Sequence, residues 1–393
     1  MPRTQALMFV NIAHFFDHYF LLIFPTAALA IAPAWGMGFA DVLLYGSPLY
    51  VMFALGTLPA GWLGDRMDRM ILIALFFLGC GISSIVVALS GGPISMMAGL
   101  GALGLFAAIY HPVGLAHVTL LGLRSGRALA VNGVFGNMGL AGAAVATAFL
   151  AQTFGWRAAF WAPGGVSVFI GLVILLRTRP AHPNLNTQTD AAISTAPAFE
   201  RPVQLRVFLI VCVSALFGGL IFNAVTLSLP KFLDERLITD GTSLIWVGTS
   251  SGLVFAVAAF AQLPVGELLD RIGARPILLT LLAAQIGLFV LLSQATGWLA
   301  FGAALLLVTS IFAEIPITTW LLGHYLDPVF RSRAVSLEYT LSLGVGSAVV
   351  PLMSLLHGRG FGFGFDVQLT GLAFAAMVIG VAALFLPRSR PSP

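Results

Sequence analysis

The sequence predicts an all-α membrane protein, with twelve transmembrane helices in two pseudo-symmetric six-helix bundles. Three observations predict this. The chain is 59% hydrophobic and only 9% charged, against about 25% charged in a typical soluble domain, so its excess apolar surface must face lipid. Twelve apolar stretches of roughly 20 residues, the length that crosses the hydrocarbon layer as a helix, follow one another along the chain, six before a polar interval and six after it. A loop also occurs twice: Pro59-Ala60-Gly61-Trp62-Leu63-Gly64-Asp65-Arg66 returns as Pro264-Val265-Gly266-Glu267-Leu268-Leu269-Asp270-Arg271. A second pair, Arg124-Ser125-Gly126-Arg127-Ala128 and Arg331-Ser332-Arg333-Ala334, repeats at nearly the same offset. Two equivalent halves follow from these repeats.

Taken in order, the first span (6–32) is apolar except for a polar stripe at Asn11, His14, Asp17 and His18, and the second (42–63) runs into the first copy of the loop. Spans 71–90 and 94–117 follow, the latter containing Tyr110-His111-Pro112. Span 128–153 is rich in glycine and alanine, and 157–176 closes a first bundle of residues 1–176. Residues 177–205 hold Pro180, Pro183, Asn184, Asn186, Thr187, Pro197 and Pro202. That composition cannot make a helix across a bilayer and reads as a cytoplasmic linker with a disordered centre. Spans 206–233, 243–266, 276–294, 298–322, 333–357 and 366–387 make the second bundle, residues 206–393.

Charge sets the orientation. With the amino terminus inside, only Arg157, Lys231, Arg236 and Arg359 of the 19 Lys and Arg residues fall outside. This positive-inside bias puts both termini and the linker in the cytoplasm. The net charge of +4 is therefore topology and offers nothing for nucleic acid. The first span is too long for a signal-peptide core and has no clear cleavage site, so it is expected to be retained. Cys80 and Cys212 lie in spans without metal or redox spacing. No phosphate-cradling G-x-x-x-x-G-K-S/T loop occurs, which removes direct coupling to ATP. No nucleophile–base spacing or cofactor loop stands out, so neither an enzyme nor a cofactor is expected.

Polar residues inside a span are expensive and need a reason: a carboxylate at mid-bilayer costs about 2.5–3.5 kcal/mol on insertion scales. His14, Asp17 and His18 stand at i, i+3 and i+4 and share one helical face, which Asn11 extends by a turn. Counting from the helix ends puts Asp17 near the midplane. Such a group can load and release a proton near neutral pH; the other reading is a hydrogen-bonded cluster that pins the first helix to its neighbours. His111 lies at a comparable depth, and Pro112 is expected to free a backbone carbonyl beside it and kink the helix. Glu314, two residues before Pro316, is the comparable acid of the second half. Asn137 and Asn223 can add neutral hydrogen bonds. Gln262 and Gln285 can bridge helices, and Tyr110 and Trp320 read either as binding residues or as packing anchors. No Lys or Arg falls near the middle of a span, which argues against a fixed cation for organic phosphates.

Gly61-Trp62-Leu63-Gly64-Asp65-Arg66-Met67-Asp68-Arg69 and its twin, Gly266 to Arg275, resemble the 2–3 and 8–9 loops of the major facilitator superfamily. The first copy has Asp68 where glycine is usual; the second keeps Gly273 but has Ala274 where a basic residue is common. The resemblance implies transport by alternating access, with the loops as cytoplasmic latches built from Gly61, Asp65, Arg66, Arg69, Asp270, Arg271 and Arg275. Asp65 would accept from a neighbouring helix terminus, and Glu338 would face the arginines. Asn11-Ile12-Ala13-His14-Phe15-Phe16-Asp17-His18 with Pro25, Ile109-Tyr110-His111-Pro112, and Gly136-Asn137-Met138-Gly139-Leu140-Ala141-Gly142-Ala143 resemble the fosmidomycin-resistance subgroup of drug:proton antiporters, with Ala143 where proline is usual.

The function so implied is proton-coupled efflux of small amphiphilic or drug-like compounds from the bacterial cytoplasmic (inner) membrane, by a monomer whose partners are the solute, protons and lipid. Asp17, Glu314, His14 and His111 would couple protons; Asn11, His18, Asn137, Asn223 and Tyr110 would bind substrate. An alternative is a small-metabolite carrier, or a divalent-metal carrier using His14, Asp17, His18, His111 and Glu314 as donors. A third is a non-transporting membrane receptor or assembly partner.

Overall fold

The structure, a computed structural model, describes residues 2–121, 125–178, 199–237, 243–357 and 364–387. Among these residues the regular elements are helices: α1 (Arg3–Trp35), α2 (Phe39–Leu44) running into α3 (Ser47–Gly64), α4 (Arg69–Ala88), α5 (Pro93–Ala107) running into α6 (Tyr110–Leu121), α7 (Ser125–Phe154), α8 (Ala158–Arg177), α9 (Arg201–Arg236), α10 (Leu244–Ala259) running into α11 (Gln262–Ile272), α12 (Ala274–Gln294), α13 (Gly297–Tyr325), α14 (Pro328–His357) and α15 (Gly364–Ala383). Among the described residues twelve spans are long and apolar enough to cross a membrane, and they match the twelve expected from the sequence one for one. The disordered centre expected for the linker, and Arg124 of the second repeat, lie outside the described residues.

Three spans are made of two helices each, and proline explains where they divide. Pro48, Pro112 and Pro264 all fall in the first turn of the second piece, α3, α6 and α11. There the missing N–H costs no helical hydrogen bond. At Pro112 the helix is interrupted at Ala108–Ile109, where the sequence suggested a kink. Pro25 and Pro33, by contrast, sit inside α1 without dividing it.

The described chain forms two compact units. The first comprises Met1–Asn184, Thr226–Ala256 and Val350–Gly362; the second comprises Leu185–Val225, Val257–Val349 and Phe363–Pro393. In the first, α4 lies against α8 with Gly81 facing Gly164, where a β-carbon on either would come within 3 Å of the other's carbonyl oxygen. Ser84 donates to the Phe160 carbonyl (2.8 Å) and Ser167 to that of Phe77 (2.7 Å) across the same contact. Close approach of small residues with bridging hydroxyls is how helices associate where lipid removes the hydrophobic drive. Also in this unit, Gln152 Oε1 at the end of α7 accepts from Ser243 Oγ (2.8 Å) and the Ile245 N–H (2.9 Å), capping the start of α10. The second unit packs α12 against α13 and α15 and α11 against α13, and Gln204 Oε1 accepts from the Asp327 N–H (3.1 Å).

Candidate functional site

The polar stripe of α1 is buried as its spacing requires. Asn11 and His14 are almost covered, and Asp17 has no exposed surface. The helix break at Ala108–Ile109 brings the start of α6 to this stripe. His111 Nε2 lies 3.1 Å from Asp17 Oδ2. Three imidazoles converge: the His14 ring centroid is 4.8 Å from that of His18 and 5.5 Å from that of His111, and His18 and His111 are 5.8 Å apart. Tyr110 stacks on His14 at 4.7 Å. The structure therefore unites five residues the sequence nominated from two spans, Asn11 joining them through α7.

Asn132 on α7, which the sequence reading passed over, ties the group together. Its backbone carbonyl lies 2.7 Å from His14 Nδ1, its Oδ1 accepts from the Tyr110 hydroxyl (3.0 Å), and its Nδ2 donates to Asn11 Oδ1 (2.9 Å). It has no exposed surface. One neutral amide thus joins α1, α6 and α7. The glycine-rich stretch of α7 makes this possible by close approach: a β-carbon on Gly136 would lie 2.5 Å from His14 Nε2, and one on Gly139 would strike the Phe15 carbonyl oxygen. Asn137 is buried one residue beyond Gly136, and its Nδ2 makes no hydrogen bond among the described residues.

The second unit invests less. Glu314 Oε2 accepts from Gln285 Nε2 at 3.1 Å, joining α13 to α12. On α9, Gly218 leaves space beside the carboxylate, since a β-carbon there would lie 3.7 Å from Glu314 Oε1. Glu338 on α14 accepts from the Thr318 hydroxyl of α13, a partner the sequence did not suggest. Asn223 Nδ2 donates to the Gly219 carbonyl one turn away at 2.8 Å, with the Ser342 carbonyl of α14 at 3.5 Å.

The repeated loops differ in detail. In the first, Arg66 lies over the Trp62 ring at 4.1 Å and donates to the Trp62 carbonyl, while Asp65 and Arg66 are exposed. Asp68 caps α4 by accepting from the N–H groups of Met70 (2.8 Å) and Ile71 (3.3 Å). The anion at a helix start is therefore Asp68, in the position that departs from the superfamily pattern. Gly61 faces Pro112, and Arg69 opens α4 half-buried. In the second loop, Gly273 takes the matching cap position of α12 at φ 78° with no side-chain cap, and Arg275 lies in the first turn. Asp270 accepts from Trp320 Nε1 (3.0 Å), and exposed Arg271 pairs with Glu267 a turn away.

Two features of this arrangement carry chemistry: a histidine–carboxylate cluster between α1 and α6, with ligand-type atoms of His14, His18 and His111 within 4.8 Å of one another, and a separate acid–amide pair on α12 and α13. The pattern of the Major Facilitator Superfamily matches residues 7–255. The chain is similar to the probable 4-methylmuconolactone transporter of Cupriavidus pinatubonensis, 25% identical over 95% of this chain and 88% of that protein. It is similar also to a putative metabolite transport protein of Haemophilus influenzae, 24% identical over 93% of this chain and 90% of that one. Among solved structures it resembles a D-xylose–proton symporter (TM-score 0.74, 14% identity, covering 99% and 98% of the two chains). A bacterial homologue of the human lysosomal transporter Spinster, in an inward-facing and unoccupied conformation, gives a TM-score of 0.69 at 16% identity, covering 98% and 94%.

Proposed function

The chain belongs to the Major Facilitator Superfamily, an integral membrane transporter with the alternating-access fold, and on that premise we propose that it moves a small amphiphilic organic solute in exchange for protons, in the direction of efflux. Bundles of residues 1–176 and 206–393 rock about the solute, with both termini in the cytoplasm of a bacterial cell and the two repeated loops as latches on that side. Glu314 carries the proton. The observation that supports this most is a carboxylate in the middle of the tenth span whose recorded partner is the neutral Gln285 amide. A carboxylate so placed serves an ion or substrate pathway more readily than packing. Asn11, His18, Tyr110 and Asn137 of the first unit and Asn223 of the second are the residues this reading assigns to solute binding.

The relatives' names favour a second reading of the solute. Both are named for metabolites rather than drugs, so a small metabolite stands beside the drug-like compound that the fosmidomycin-resistance resemblance implies. Purified protein in liposomes with a lumenal pH-sensitive dye tests both. Candidate solutes are added under an imposed proton gradient, including small lactone acids, lipophilic cations and phosphonates. Solute-dependent proton movement that disappears in Glu314→Gln, while solute binding survives, supports the proposal. Solute flux without proton movement in the unaltered protein overturns the coupling, and coupled flux in Glu314→Gln removes this residue from it.

A further inference from the structure

We propose that His14, His18 and His111 form a binding site for one divalent transition-metal ion, with Asp17 and Asn132 as its outer supports. The site shares His18 with the proposed solute-binding residues, and its test needs no solute.

The first observation is convergence. Three imidazoles from two helices present one ring nitrogen each, all within 4.8 Å of one another. A zinc-type ion binding nitrogen at about 2.0–2.1 Å needs its ligand atoms roughly 3.4 Å apart in a tetrahedron. The 4.8 Å separation exceeds that spacing by about 1.4 Å, a closure the proposal assigns to side-chain rotation of the rings.

The second observation is how the outer edges of the rings are held. Metal-binding histidines donate their other ring N–H to a carboxylate or a backbone carbonyl, which fixes the tautomer and turns the remaining lone pair to the metal. His14 does this with Nδ1, 2.7 Å from the Asn132 carbonyl, leaving Nε2 as the inner nitrogen. His111 Nε2 lies 3.1 Å from Asp17 Oδ2, so a carboxylate stands beside that ring as well. His14 Nε2 and His18 Nδ1 are buried and make no hydrogen bond among the described residues. An unsatisfied buried polar atom is destabilising. One proton shared between Asp17 and His111 satisfies neither of these two atoms, whereas a metal ion satisfies both. Gly136 lets the His14 ring sit at this place, because a β-carbon there would lie 2.5–2.7 Å from Nε2, Cδ2 and Cε1 and press on the ring face.

Donor chemistry sets the class of ion. Three imidazoles select zinc, cobalt, nickel or ferrous iron over magnesium or calcium, which take oxygen ligands. A carboxylate without exposed surface, beside the cluster, adds negative charge that a dication offsets.

The test is titration of the purified full-length chain, made without a polyhistidine tag, with cobalt(II) while visible d–d absorption is recorded. The expected result is a band that saturates at one equivalent and is bleached by zinc. His14→Ala and His18→Ala should each weaken apparent affinity by about 100-fold or more, and Asp17→Asn by about 10–100-fold as an outer-shell change. Asn223→Ala, on α9, should leave the band unchanged. A folded protein with no saturable band, or an undiminished band in folded His14→Ala and His18→Ala, overturns the proposal. Should the histidine variants elute aggregated, the unaltered protein decides. Zinc should protect His14, His18 and His111 from diethylpyrocarbonate in peptide mapping, and modification of these three at the same rate with and without zinc overturns the site.

Discussion

The two units of this molecule spend polar side chains very differently. In the first unit α1, α6 and α7 meet in a cluster held by one amide, with Asn132 bonded to Asn11, Tyr110 and His14. In the second unit the carboxylates of Glu314 and Glu338 each have one donor among the described residues: Gln285 for Glu314 and Thr318 for Glu338. Pseudo-symmetry therefore fixes the helices, not the chemistry. A dense, multiply bonded cluster suits a group that must stay in place, and a carboxylate with one donor suits a group whose partner changes. The loops repeat the lesson on a small scale, with Asp68 capping α4 where Gly273 leaves α12 without a side-chain cap.

The contrast can be broken most forcefully on its first side. Gly139→Val should abolish folded protein, read as loss of the monodisperse peak in size-exclusion chromatography. Its side chain would meet the Phe15 carbonyl oxygen, a backbone atom that cannot step aside, and overpacking costs about 1–3 kcal/mol or more. Gly287→Ala on α12, with nothing within 4 Å of the added carbon, should fold normally. Asn132→Ala comes next. It removes two side-chain hydrogen bonds and should lower stability by about 1–3 kcal/mol in a detergent melt. Gln285→Leu removes one, so a loss of about 1–2 kcal/mol is expected, smaller than that of Asn132→Ala; a larger loss would overturn the reading that the second unit is the more loosely held. Asp68→Ala should cost about 1 kcal/mol as a lost cap. Arg271→Ala, which opens an exposed pair a turn apart, should change stability by less than about 0.5 kcal/mol.

The spans were legible because charge is absent from them: twelve uncharged or nearly uncharged runs have few alternative structures. The buried stripe of α1 was legible for the same reason, since His14, Asp17 and His18 at i, i+3 and i+4 stand out against apolar neighbours. His111 was legible through Pro112, though not the helix break that delivers it to Asp17. Asn132 was not legible. It is neutral, it sits among small residues, and its bonds to Asn11 and His14 join residues more than 100 positions apart. Asp68 was noticed as a departure from the superfamily pattern, but its role depends on the N–H groups of Met70 and Ile71, which become donors only once α4 forms. Thr318 escaped because a threonine in an apolar helix often bonds its own backbone, as Thr309 does to the Leu305 carbonyl.

The length of α1 has a mechanical consequence. Its 33 residues make a rod about 50 Å long at 1.5 Å per residue, against a hydrocarbon core of about 30 Å. Asp17 lies about 21 Å along that rod, close to its midpoint. When such a rod turns by about 10° around its centre, each end sweeps about 4 Å while Asp17 shifts by less than about 1 Å. His14, Asp17 and His18 therefore sit near the fulcrum of that lever, where a tilt of α1 displaces them least.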